Sequence, residues 1–115
     1  MSVTIYHNPR CSKSRQTLSL IEDAGQQADI ILYTKTAPTQ AEIKDLLKKL
    51  GFDDPRALMR KGESIYKELG LKAETDENAL LLAMSSYPKL IERPIVVKGN
   101  KAVLGRPPEN AAQFL

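Results

Sequence analysis

The residues best suited to chemistry lie in the segment His7-Asn8-Pro9-Arg10-Cys11-Ser12-Lys13-Ser14-Arg15, between a run that reads as a strand and one that reads as a helix start. Cys11 is the only cysteine, and its neighbours are Asn, Arg, Ser and Lys. A structural cysteine packs as a small hydrophobe among apolar residues, so this setting points to a reactive thiol. A thiolate at a helix N-terminus is favoured by the unpaired N–H groups and the positive end of the macrodipole, and Arg10, Lys13 and Arg15 add to that field. The same groups attract an oxyanion. One short segment can therefore supply a nucleophile and a cradle for the anion it attacks. His7, the only histidine, leaves two readings open: an ionised imidazole supports a nearby thiolate, and a neutral one does not. Ser12 and Ser14 read either as plain helix caps or as hydroxyl donors to the thiolate or anion.

These groups need a frame. Residues 3–7 are rich in β-formers, Asn8-Pro9 interrupts them, and Leu18, Ile21 and Ala24 recur at helical spacing from Ser12 to a stop at Gly25. Residues 29–33, centred on Ile30-Ile31-Leu32, read as a second strand buried on both faces. Strand, helix and strand form a βαβ unit, whose ligand site lies beyond the carboxyl ends of its strands, the edge at which Cys11 falls. Residues 39–92 read as a helical insertion. Thr39 and Glu42 form a capping box, Ile43, Leu46, Leu47 and Leu50 give an apolar stripe, and Gly51 stops the helix. Asp54-Pro55 opens a short helix to about Met59, residues 64–69 form another before Gly70, Thr75 caps a helix over 76–84, and Pro88 starts one further turn. Leu80-Leu81-Leu82 reads as core of this insertion. Ile95-Val96-Val97 and Ala102-Val103-Leu104 flank Gly99-Asn100, a hairpin signal. Pro107-Pro108 then launches a terminal helix through Ala111 to Leu115. The order places the chain in the α/β class, as one domain of residues 1–115 with a small mixed sheet and thioredoxin-like connectivity.

Bulk composition narrows the classes. At 115 residues the chain can build an ordinary core without staples. One cysteine cannot form an internal disulfide, and one cysteine with one histidine cannot make the usual zinc shell, so no metal site is expected. The formal charge of +3 comes from 17 basic and 14 acidic residues scattered along the chain, which suits small anions. With four Tyr, two Phe, no Trp and no basic stripe, nucleic-acid binding is not expected. The longest apolar run, 79–84, is too short to span a membrane, and without an apolar N-terminal stretch a cytoplasmic location is expected.

Four ordered motifs give the chain a closer resemblance. The segment around Cys11 is followed by Leu58-Met59-Arg60-Lys61-Gly62 with Tyr66-Lys67-Glu68-Leu69-Gly70-Leu71, then by Glu92-Arg93-Pro94-Ile95-Val96-Val97, and finally by Gly105-Arg106-Pro107. Together they resemble the glutaredoxin-coupled arsenate reductases and their ArsC-like relatives over almost the whole chain. The resemblance implies a thioredoxin-like fold and an arsenate reductase with Cys11 as nucleophile and no bound cofactor. It further implies thiolate support from His7 and an oxyanion held by Arg60, Arg93 and Arg106; Ser14 joins His7 as a thiolate-supporting candidate on its hydroxyl alone. Taken by itself, Arg60 beside Arg56 would read as a solvated helix face, and only the resemblance gives it a role. Arg93 and Arg106 each precede a proline, which holds their backbones extended. The resemblance also implies a cis Arg93-Pro94 bond beside Cys11, with Pro94 a structural residue of the site. The chain holds no second thiol, so the thiols that resolve a Cys11 adduct must come from outside it, and the resemblance implies glutathione, as co-substrate, and glutaredoxin in that role. Relatives of this type tend to carry Gly-Thr after the cysteine where this chain has Ser12-Lys13, which motivates a second reading, a glutathione-linked thiol reductase with another substrate. A third is a redox-sensitive module of the Spx-like kind that binds a transcription partner. The switch of such proteins usually needs Cys-x-x-Cys, and the second position here is Ser14.

Overall fold

The computed structural model describes residues 3–112 and 114–115. The chain divides into two compact units, residues 1–36 with 93–115, and residues 37–92.

The first unit is built on a four-stranded mixed sheet. β1 (Val3–Tyr6) lies between β2 (Ala28–Ile31) and β3 (Ile95–Lys98), with β4 (Lys101–Leu104) at the far edge, giving the order β2-β1-β3-β4. β1 runs parallel to β2 and antiparallel to β3, and β3 and β4 form the hairpin. In that turn Gly99 takes φ +64° and Asn100 keeps a negative φ, the type II′ pattern whose twist matches that of the strands. α1 (Ser12–Asp23) crosses over between β1 and β2 and ends at Gly25, which has φ +74°. Val3, Ile5, Val96, Ile21 and Ala111 form one buried cluster, with Leu18, Ala28 and Val103 packed against it. Alternation along β1 and helical spacing along α1 thus turn apolar side chains toward a common core. This is the mixed α/β sheet expected of a thioredoxin-like fold.

Two expectations for this unit are corrected. The second strand occupies 28–31 rather than 29–33, and it is not buried on both faces, because Asp29 and Ile30 are exposed, Ile30 by 50%. β2 is a sheet edge, so it has a neighbour on one side only. The terminal helix α5 is the single turn Glu109–Ala112; the expected continuation to Leu115 crosses residue 113, which lies outside the described residues.

The second unit is helical. The Thr39 and Glu42 capping box opens α2 (Gln40–Leu50), with both reciprocal bonds formed, and Gly51 closes it at φ +76°. Asp54 caps a 3₁₀ turn, Pro55–Leu58, rather than an α-helix. α3 is Ser64–Glu68 and α4 is Glu77–Ser86. The cap of α4 is Asp76, not Thr75: the Asp76 carboxylate accepts the Asn78 N–H at 3.0 Å, moving the start by one residue. Leu80 and Leu81 are buried as expected, but Leu82 is 52% exposed because three successive helical residues cannot share one face. A second 3₁₀ turn, Pro88–Leu90, leads to an antiparallel bridge between Met59 and Ile91. Among the described residues no helix is long and apolar enough to cross a membrane.

Candidate active site

Cys11 is the N-cap residue of α1, with φ −94° and ψ 122°. The turn before it is fixed by Asn8, whose carbonyl accepts the Cys11 N–H at 3.0 Å and whose side chain accepts the Arg10 N–H at 3.0 Å. Arg15 clamps the same turn by donating to the Pro9 carbonyl at 2.8 Å. The sulfur is partly exposed and free. It closes no conventional capping bond, yet its proton is held less firmly than in an ordinary thiol. Burial alone would push the pKa up. The Ser14 N–H, the Arg93 guanidinium and the Lys13 N–H favour the charged sulfur and together outweigh burial, and the Arg93 charge adds to them, so the pKa is brought down. The expectation drawn from the sequence, a thiolate favoured at a helix N-terminus, thus has a geometric basis in α1 and in Arg93.

Arg93 and Arg106 stand at the base of the β3–β4 hairpin. The ladder pairs Ile95 with Leu104, and one step beyond it the Gly105 N–H donates to the Pro94 carbonyl at 3.0 Å. Arg93 and Arg106 are the residues next outward on the two segments. Arg93-Pro94 is cis, as the resemblance implied, and Arg106-Pro107 is cis as well, which no local signal announced. Asn110 holds the Arg106 carbonyl at 3.1 Å. Among the described residues the Nε of Arg93 is buried without a hydrogen-bond partner, so the guanidinium that lowers the Cys11 pKa has an N–H to offer. A buried unmet donor beside a thiolate is suited to an anion.

His7 and Ser14 are buried together. Nδ1 of His7 lies 2.6 Å from Ser14 Oγ, which also accepts the Asn8 N–H at 3.0 Å. Burial first, and then the charge of Arg15, lower the His7 pKa below that of a free imidazole. Of the two readings left open by the sequence, the neutral imidazole is therefore the one favoured near neutral pH. Ser14 is no plain cap: its N–H faces the sulfur while its hydroxyl engages His7.

Arg60 belongs to the helical unit. Its N–H donates to the Leu90 carbonyl at 2.7 Å, and the Glu92 N–H donates to Leu58 at 2.7 Å, so the backbone around it is fixed by the Met59 and Ile91 bridge. Its guanidinium reaches Glu63 at 3.1 Å and Glu92 at 3.5 Å. These two carboxylates hold the arginine, and sequence reading gave them no role. Neither had a local signal: Arg60 and Glu63 lie in the turn before α3, outside any helix, and Glu92 is brought in by the Met59 and Ile91 bridge.

Two further residues escaped the sequence reading. Thr17, fully buried, donates through Oγ1 to the Lys13 carbonyl at 2.8 Å and lies 3.4 Å from the Gly105 carbonyl. A Cβ on Gly105 would meet Thr17 Oγ1 at 2.6 Å and Pro94 Cγ at 2.7 Å. The signal for Thr17 was a helix whose inward positions, Ser14, Thr17 and Ile21, begin with two hydroxyl residues.

With this geometry in view, the chain is matched by the model of the ArsC family over residues 6–114. It is 49% identical to a protein named arsenate reductase from Neisseria meningitidis, covering 98% of this chain and 97% of the relative. It is also 50% identical to the uncharacterised YfgD of Escherichia coli, covering 98% and 96% of the two chains. A solved structure named arsenate reductase from Vibrio cholerae superposes with a TM-score of 0.97 at 50% identity, covering 100% of this chain and 98% of that one.

Proposed function

The chain belongs to the ArsC family, and from that premise we propose that it is an arsenate reductase of the cytoplasm, using glutathione as co-substrate and glutaredoxin as partner. The observation that carries this reading is the Cys11 thiol, its pKa lowered by the α1 amides and by Arg93, beside an arginine N–H with no partner. In the proposed reaction the Cys11 thiolate forms a bond to arsenic(V), and one arsenate oxygen leaves as water. A glutathione sulfur displaces a second oxygen, again as water. A thiol of glutaredoxin then attacks the glutathione sulfur. The arsenic–sulfur bond to glutathione breaks, its electron pair stays on arsenic, which becomes arsenic(III), and a mixed disulfide departs. Water finally releases arsenite and regenerates the Cys11 thiol. Two thiols thereby lose two electrons to one arsenate, and both come from outside because the chain has one cysteine. Arg93, Arg106 and Arg60 serve in this reading as the oxyanion ligands, Arg60 exchanging its carboxylate partners for the anion. His7 and Ser14 support the thiolate by fixing the loop that carries it.

The test is arsenate-dependent NADPH oxidation with glutathione, glutaredoxin and glutathione reductase, comparing the protein with Cys11→Ser. A signal lost in Cys11→Ser is the expected result. A folded protein with a free thiol and no signal overturns the reading. Ser12-Lys13 after the cysteine favours, as the second reading, a glutathione-linked reductase for another substrate. Protection of Cys11 from alkylation by phosphate or sulfate but not arsenate would select it.

A further inference from the structure

We infer that Thr17 is a positioning residue, setting the distance between the first turn of α1 and the two arginine loops at the hairpin base; the inference rests on the oxyanion reading of the site. Thr17 exposes none of its surface, and in a core position valine would fill the same volume with no polar atom to satisfy. Its hydroxyl is used. Oγ1 donates to Lys13, one turn earlier, with a longer approach to the Gly105 carbonyl 88 residues away in sequence. Lys13 is one of the two residues whose N–H groups face the sulfur. Gly105 precedes Arg106, and its N–H is bonded to Pro94, which follows Arg93. The contact is close on every side, since a Cβ on Gly105 would come within 3.0 Å of both Thr17 Oγ1 and Pro94 Cγ. One side chain therefore bonds to the first turn of α1 and packs on Gly105, which adjoins Arg106 and is bonded to the Pro94 that follows Arg93. Binding an anion between fixed donors depends on their spacing to well under an ångström, and Thr17 is the side chain that fills this gap.

The experiment measures protection of Cys11 from iodoacetamide by arsenate, phosphate and sulfate, together with the pH profile of alkylation and thermal melting. It compares wild type, Thr17→Val, Thr17→Ser and Thr17→Ala. Thr17→Val should weaken anion protection about tenfold, within the range that small misplacements cost. The alkylation midpoint should rise as well, since a looser spacing weakens the Arg93 contribution at the sulfur. Thr17→Ser, which keeps the hydroxyl, should return to within about threefold of wild type, and Thr17→Ala should resemble Thr17→Val. A structural role alone would move melting and leave affinity and serine rescue untouched. If Thr17→Val unfolds, the contrast between Thr17→Ser and Thr17→Ala carries the same test. Wild-type affinity in a folded Thr17→Val, or equal weakening in the serine and alanine variants, overturns the inference while leaving the oxyanion site intact. Absence of protection in wild type by all three anions overturns both.

Discussion

Ser14 Oγ and His7 Nδ1 lie 2.6 Å apart in a buried pocket, joining the end of β1 to the first turn of α1. The same oxygen accepts the Asn8 N–H at 3.0 Å, so one hydroxyl ties the loop backbone to the imidazole. The arrangement fixes the loop between strand and helix in which Cys11 sits.

The His7 ring is expected to titrate below the ordinary histidine value, as burial and the Arg15 charge dictate. A folded pKa below the unfolded one means that the unfolded chain takes up the proton first. The His7 contribution to stability is thus full above the unfolded pKa and is lost as pH falls through that value toward the folded one. Imidazole NMR against pH checks this, and a ring that titrates above the ordinary value contradicts it.

Ser14→Ala should cost about 1–3 kcal/mol, because it leaves the His7 ring nitrogen and the Asn8 N–H without their buried partner. Urea unfolding measures the loss. A change below about 0.5 kcal/mol would mean that the pair is not coupled to folding.

Alkylation of Cys11 should reach its half-maximal rate at a pH below that of an ordinary thiol, since donors to the sulfur outweigh burial. Arg93→Gln should move that midpoint upward by removing both the charge and a donor. Iodoacetamide rates between pH 5 and 10 read the shift, and an unmoved midpoint would remove Arg93 from the thiolate.

Arg93→Lys should weaken oxyanion binding about tenfold, because a lysine keeps the charge but not the planar fork of donors. Competition between arsenate and iodoacetamide gives the affinity directly. Wild-type affinity in this variant would show that the charge alone is sufficient.

Gly105→Ala should destabilise the protein by about 1–3 kcal/mol, an overpacking cost, since the added methyl would press on Thr17 and Pro94. Gly105 has no positive φ, so the effect is steric and not conformational. Thermal denaturation separates it from Gly62→Ala, where nothing lies within 4 Å of the added carbon and little loss is expected.

The features legible in the sequence were those set by short range. Cys11 at the start of α1, the Thr39 and Glu42 capping box, and the Gly99-Asn100 hairpin follow from residues within one turn of each other, where local hydrogen bonds and backbone preferences decide. The caps read less well where two candidates adjoin, as with Thr75 and Asp76, because either side chain can serve and the backbone selects one. Only the tertiary structure decided that β2 is an edge strand with Ile30 exposed, that Arg93 lowers the Cys11 pKa, and that Thr17 packs on Gly105. The last two relations join segments some eighty residues apart, brought together when β3 pairs with β1 and α1 covers the sheet. The sequence by itself determined which groups can act and which local elements carry them; their distances were decided by the packing of one sheet and one helix, where burial and donor geometry set the state of the thiol.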